Sequence, residues 1–373
     1  MAVTELSADA LRAALDEHKP LTVLDVRPSA ERAEWSIPGS RHVDAYSELW
    51  HGDSAALAKV AVDLPHDRPV VTVCAKGRTS MLAAQALDRL GFEVFSLQGG
   101  MAAWSEAWNV APVPLADPAT QALQVRRTGK GCLSYILASE SEAAVIDPSV
   151  EPSVYVDLAT AHGWNIVAVI DTHVHADHVS RAYRLAEAVG APMYLPAQRR
   201  VERPFTPLVD GQALPIGRST LKAIATPGHT NESMCFVFGT SALCTGDTLF
   251  LHGVGRPDLK AAGDESAERA RLLYHSLIDR ILPLPDGLTV LPGHSSAAIA
   301  FDGVPHADSL ANVRAAVSLA SLDEAAFVRA VLARIPATPP NHLAIVRINE
   351  GRDAAPPDLH DLEAGANRCA ISA

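Results

Sequence analysis

The segment Asp171-Thr172-His173-Val174-His175-Ala176-Asp177-His178 packs four metal-binding side chains into six residues, directly after the apolar run at 166–170. It reads as a metal site at the end of a strand. In extended chain, side chains at i and i+2 point the same way, so His173 and His175 should face one ion while Asp177 and His178 begin the next turn. Further ligand types recur beside glycine in Pro227-Gly228-His229, Gly246-Asp247 and Pro292-Gly293-His294, each after a strand-like apolar run. Glycine permits close backbone approach there. Fifteen histidines produce some clusters by chance, and His18, His42, His51, His66 and His162 read as ordinary surface or core residues. The set His173, His175, Asp177, His178, His229 and His294, with Asp247 as a bridge, is too ordered for that reading.

The pattern His-x-His-x-Asp-His followed by three spaced single ligands resembles the metallo-β-lactamase superfamily. The resemblance implies an αββα sandwich with metal at the strand ends.

A chain of 373 residues suits two domains. A net charge of −12, without a long Lys/Arg run, argues against nucleic acid and against an anionic membrane surface as partner. No stretch of about twenty apolar residues offers a membrane span. Five cysteines without a Cys-x-x-Cys pair suit a reducing compartment, and the cytoplasm is the expected location. A homo-oligomer is compatible with this composition. Pro112, Pro114 and Pro118 deny regular helix or central strand, which sets a Pro-rich linker at 111–122. Before it, at 1–110, short β-like runs at 21–26, 70–73 and 93–97 alternate with helical stretches and predict a small α/β domain around a mostly parallel sheet. After it, at 123–352, lie the apolar runs that lead to the ligand motifs. The polar, alanine-rich tail at 353–373 is expected to be flexible.

In the first domain Cys74 ends the run Val70-Val71-Thr72-Val73 and opens the loop Ala75-Lys76-Gly77-Arg78-Thr79, after which Ser80 leads into a helix. A loop whose N–H groups converge on sulfur at a helix N-terminus lowers a thiol pKa. Lys76 and Arg78 add positive charge and Gly77 supplies the turn. Such a cradle suits a cysteine persulfide, whose terminal sulfur carries the charge. The loop, with Asp25-Val26-Arg27, Ile37-Pro38-Gly39 and Leu97-Gln98-Gly99-Gly100-Met101-Ala102-Ala103-Trp104, resembles the rhodanese family. The six-residue loop matches the sulfurtransferases, and Asp25 with Arg27 reads as a structural ion pair.

In the second domain Gly255-Arg256-Pro257-Asp258 and Leu273-Tyr274-His275-Ser276 resemble the persulfide dioxygenase branch of the superfamily. That resemblance implies one Fe(II) per chain, held by His173, His229 and Asp247, with His175, Asp177, His178 and His294 orienting the ligands or shaping the pocket. Two imidazoles and a carboxylate leave open positions for a persulfide sulfur and O2, and the net charge of +1 favours an anionic R–S–S⁻. If two Zn ions bind instead, the same outer residues become ligands, Asp247 bridges, and the chemistry becomes thioester hydrolysis of the glyoxalase II type. Arg256 is placed to clamp a carboxylate or sulfite, or to pair with Asp258, and Tyr274 to donate a hydrogen bond to substrate or to pack in the helix. Cys132, Cys235 and Cys244 read as core. The joint reading is R–S–S⁻ + O2 + H2O → R–SH + sulfite, with a low-molecular-weight persulfide and O2 as substrates and Cys74 exchanging sulfane sulfur with thiosulfate or sulfite.

Overall fold

The computed structural model describes residues 3–259, 261, 264–295 and 298–372. In the first unit five parallel strands lie in the order Thr4–Leu6, Val94–Leu97, Val70–Val73, Thr22–Asp25, Arg41–His42. Val70 and Leu24 face one apolar cluster and Val71, Val73 and Leu97 the other. A sheet covered on both faces needs apolar residues at successive positions, which the Val-Val-Thr-Val run supplies. Asp25 and Arg27 form a buried pair, Nη2 to Oδ2 2.7 Å, that also ties down the carbonyl of Trp35.

The second unit is two sheets face to face with helices outside. One sheet runs Thr206–Leu208, Met193–Pro196, Asn165–Ile170, Glu142–Ile146, Cys132–Ser139, Thr120–Arg127, Asn109–Val113. The other runs Ala213–Ile216, Ser219–Ala225, Met234–Phe238, Ala242–Gly246, Thr289–Pro292, Asp308–Ser309. Strand Cys132–Ser139 is buried along its whole length because Leu133, Tyr135 and Leu137 point into the inter-sheet core while Ile136 and Ala138 point to the helices Pro152–Ala161 and Ala182–Val189. Phe236, Phe238 and Leu291 meet them from the other sheet, whose outer face carries helices Asp264–His275 and Glu324–Ala333. This is the αββα sandwich. Among the described residues no helix is long and apolar enough to cross a membrane.

Two segments differ from the expectation. Part of the Pro-rich stretch is strand Asn109–Val113, with Pro112 opposite Leu123 at the sheet edge. An edge strand has one row of N–H groups outside the ladder, so proline is tolerated there. The tail beyond 352 is packed: helix His360–Glu363 lies against the first domain, and Ala370–Ser372 pairs with Gly253–Gly255. The reason is electrostatic. Glu363 is fully buried, 2.6 Å from Arg127 Nη2 and 3.0 Å from Arg181 Nη1, and accepts the Val179 N–H at 2.7 Å.

Candidate metal centre and thiol loop

Strands Asn165–Ile170, Ser219–Ala225, Ala242–Gly246 and Thr289–Pro292 all end at one rim of the sandwich and deliver His173, His229, Asp247 and His294 there. His173, His229 and Asp247 are buried, with one ligand atom from each within 4.8 Å of the others. His229 Nε2 is 3.5 Å and His173 Nε2 3.9 Å from Asp247 Oδ2. Both rings are fixed from behind. His229 Nδ1 donates to the carbonyl of Arg256 at 2.8 Å. His173 Nδ1 donates to Thr172 Oγ1 at 2.8 Å, and that hydroxyl donates to Asp147 Oδ2 at 2.9 Å. Each imidazole thus keeps its proton on Nδ1 and turns the Nε2 lone pair inward.

His173 Nε2 and Asp247 Oδ2 are buried without a hydrogen-bond partner, an arrangement that costs about 1–3 kcal/mol per group unless a cation completes it. Protonation agrees with ligand duty. Burial pulls the His173 and His229 imidazoles below their ordinary range. Burial resists charge on Asp247 too, but His294, with His229 and His173 behind it, holds the carboxyl well below the usual range. Neutral imidazole and ionised carboxylate are the metal-binding forms. These residues fit a bound metal ion.

The remaining motif residues largely satisfy one another. Asp177 Oδ1 takes His178 Nδ1 at 3.1 Å, and Oδ2 takes Asn367 Nδ2 at 2.9 Å and lies 2.9 Å from His294 Nε2. The last contact is close enough for an ion pair but poorly aligned as a hydrogen bond. His294 Nδ1 reaches Asp247 Oδ1 at 2.6 Å. Burial opposes its charge, yet the flanking carboxylates of Asp247 and Asp177 raise His294 well above the normal histidine range. Burial likewise opposes charge on His178, and Asp177 overrides it, to about 10. His175 stands beside His173 with ring centroids 4.3 Å apart, but its Nε2 turns to Asp147 Oδ1 at 3.2 Å, so it lies outside the three-residue set. His175 Nδ1 and His178 Nε2 remain buried without partners.

Arg256 does not reach toward substrate. All five of its N–H donors are used: Nε and Nη2 on Asp258 at 2.8 and 2.7 Å, the rest on the carbonyls of Pro336, Ala337 and Arg368. It is a loop clamp that positions His229 through its own carbonyl. Tyr274 is half-buried and packs on Phe327, ring centroids 5.4 Å apart. A cleft of about 510 Å³ opens on His229, with Val174, Ala176, Leu259 and Val346 as apolar wall. Its cations are Arg199, Arg200 and Arg269; Arg200 pairs with Glu232 and Glu350, and Arg269 pairs with Glu265 at 2.6 Å and donates to the Leu259 carbonyl at 2.9 Å.

Several contributors escape a motif reading. Cys132 is not plain core: its Sγ lies 3.4 Å from Asp177 Oδ2 and 3.8 Å from His178 Nδ1. Burial and Asp177 disfavour its thiolate, but His178 outweighs them and the thiol falls to about 7. Cys369 packs against Asp247 and His294. Asn349 Nδ2 binds the carbonyls of His175 and His178, holding the motif loop. Asp147, which holds Thr172 behind His173, did carry a sequence signal, standing after the apolar run 143–146 as Asp171 stands after 166–170.

In the first domain Cys74 is buried, and its Sγ accepts the Gly77 N–H at 3.2 Å and donates to Ser80 Oγ at 3.4 Å. Helix Arg78–Arg89 starts at once behind it, with Thr79 buried in its first turn and Ala75 half-buried. Gly100 closes the cradle. A Cβ there would stand 2.3 Å from the Cys74 carbonyl oxygen and 2.8 Å from the Lys76 and Gly77 nitrogens. The two loop cations sit at the rim and do not contact sulfur: Lys76 pairs with Asp361 at 2.7 Å, and the Arg78 guanidinium lies 4.3 Å above the Trp50 ring.

Comparison with known families agrees with both units. The rhodanese-like domain model matches residues 7–107 and the metallo-beta-lactamase superfamily model residues 127–325. A hydroxyacylglutathione hydrolase of Anaeromyxobacter dehalogenans is 34% identical over 200 residues, spanning 51% of this chain and 75% of that protein. The mitochondrial persulfide dioxygenase ETHE1 of Bos taurus is 29% identical over 170 residues, spanning 44% of this chain and 65% of that one. Among solved structures, a metallo-beta-lactamase of Staphylococcus aureus superposes with TM-score 0.58 at 26% identity, over 64% of this chain and 75% of the other. ETHE1 of Myxococcus xanthus superposes with TM-score 0.54 at 24% identity, over 62% of this chain and 98% of the other, a likeness of fold.

Proposed function

This chain belongs to the metallo-β-lactamase superfamily and carries a rhodanese-like domain ahead of that fold; from that premise we propose that it oxidises a low-molecular-weight persulfide, R–S–S⁻ + O2 + H2O → R–SH + SO3²⁻ + H⁺, and handles sulfane sulfur at Cys74. The observation that carries the reading is the unequal state of the two ligand sets. His173, His229 and Asp247 converge, with His173 Nε2 and Asp247 Oδ2 unpaired, while the carboxylate of the other set, Asp177, has both oxygens engaged by His178 and Asn367 even though His178 Nε2 is itself unpartnered. That favours one metal over two. A mononuclear site of two imidazoles and one carboxylate is the ferrous oxygenase donor set, and a ferrous ion held by His173, His229 and Asp247 would supply open positions for O2 and sulfur.

The protein's own groups do the rest. Thr172 and the Arg256 carbonyl orient the two imidazoles, and the His294 cation keeps Asp247 ionised. The apolar wall of Val174, Ala176, Leu259 and Val346 keeps water from the sulfur. With Arg256, Arg200 and Arg269 committed to partners, Arg199 at the cleft is the cation placed to meet a carboxylate of a glutathione-like carrier. The sulfurtransferase half rests on the Gly77 N–H, which donates to Sγ and would stabilise a thiolate or persulfide on Cys74.

The second reading is a two-zinc thioester hydrolase of the glyoxalase II type. The 34% identical hydrolase and the unpartnered His178 Nε2 favour it. Iron-loaded protein given glutathione persulfide in an oxygen electrode, beside S-lactoylglutathione with thiol release as readout, separates the two. Oxygen uptake with sulfite formation is expected; hydrolysis without oxygen uptake overturns the dioxygenase reading.

A further inference from the structure

Between the metal centre and the rhodanese-like domain lies a second, smaller cavity of about 110 Å³, separate from the substrate cleft. Glu34 forms its wall on the first-domain side, Asp177 on the metal side, and Lys130, Leu362 and Arg368 complete it. We propose that it is a binding site for a small dianionic oxyanion of the sulfite class, with the Lys130 ammonium as the recognising group.

The charges assign it. Glu34 is paired with Arg368 at 3.1 Å, and the Asp177 oxygens are already engaged by His178 Nδ1 at 3.1 Å and Asn367 Nδ2 at 2.9 Å. Lys130 is only 8% exposed, and among the described residues the one hydrogen bond of its ammonium is to the carbonyl of Gly365 at 3.4 Å. Among the described residues it forms no ion pair. A buried ammonium that spends one of three donors on one long contact is unfavourable unless an anion completes it. Size narrows the class: a cavity of about 110 Å³, against about 510 Å³ for the cleft, suits a small oxyanion rather than a glutathione-sized molecule.

The position of Lys130 is built jointly by the two domains. Its turn is pressed on the first domain so closely that a Cβ on Gly129 would stand 1.8 Å from the Trp104 carbonyl oxygen, and Gly129 N–H donates to the Ala107 carbonyl at 3.1 Å. The site therefore exists only in the two-domain chain. The choice of sulfite among small oxyanions rests on the proposed dioxygenase reaction, which forms it in the same domain; thiosulfate from solvent has the same chemistry.

Calorimetric titration of the metal-loaded full chain with sulfite, and in parallel with thiosulfate and chloride, tests the site without turnover. Lys130→Met is expected to weaken sulfite binding at least 10-fold, with Lys130→Arg, which keeps the charge, restoring most of it. Equal affinity in wild type and Lys130→Met overturns the proposal, since sulfite then sits on the metal. Chloride bound as tightly as sulfite overturns the dianion assignment. Tighter thiosulfate than sulfite, still dependent on Lys130, supports the site with solvent as the source. Should iron-loaded protein consume no oxygen while Lys130-dependent sulfite binding persists, the dioxygenase reading fails and the site stands.

Discussion

Glu363→Gln is the sharpest test of how the tail is held. The substitution keeps the shape of the side chain and removes its charge, leaving the guanidinium groups of Arg127 and Arg181 buried beside a neutral amide. Burial works against the carboxylate, but Arg127 and Arg181 outweigh it and bring Glu363 from 4.5 to about 2. The difference, 4.5 − 2 = 2.5, corresponds to about 3 kcal/mol at about 1.4 kcal/mol for each step. Removing one partner of a buried ion pair costs roughly 3–5 kcal/mol, the same range. The sign follows from a folded-state pKa below the unfolded one. The contribution is complete above about 4.5 and is lost as pH falls toward 2. Urea unfolding followed by circular dichroism should therefore show wild type ahead by about 3 kcal/mol between pH 5 and 8, with the gap narrowing below 4.5. A gap under about 1 kcal/mol at neutral pH, or one that widens on acidification, would refute the reasoning.

Cys74→Ser should abolish thiosulfate-dependent sulfur transfer while oxygen uptake with added persulfide continues, because the serine hydroxyl cannot carry sulfane sulfur; loss of both activities together would contradict separate centres. Thr172→Val removes the hydroxyl that fixes the His173 tautomer through Asp147, and metal affinity in a chelator competition should fall about 10–100-fold. Unchanged affinity would show that His173 is oriented by something else.

How much of this was legible follows from the kind of signal each residue leaves. The parallel sheet of the first unit and the ligand-bearing strands of the second announced themselves through apolar runs, since both faces of those sheets are covered. The three ligands stood out because each ends such a run next to a glycine or in a dense polar motif. Arg256 shows the limit. A guanidinium near a metal motif reads equally as substrate clamp or loop clamp, and only the count of its satisfied donors decides. Pro112 misled in a similar way, because proline excludes a central strand but not the edge position that Asn109–Val113 occupies.

The tail was illegible for a different reason, and that reason bears on how the two centres relate. Residues 353–373 have no apolar periodicity; they are held by one buried carboxylate, one amide on Asp177 and a three-residue strand. Composition registers such a segment as loose because it weighs hydrophobicity, whereas here a single charge between two buried arginines does the anchoring. Its attachment to the thiol loop is weak by comparison. Lys76 and Asp361 are 69% and 74% exposed, and a pair so solvated contributes about 0–1 kcal/mol. The helix His360–Glu363 therefore belongs energetically to the metal domain and only touches the thiol loop. Salt should loosen the Lys76 contact without disturbing Glu363.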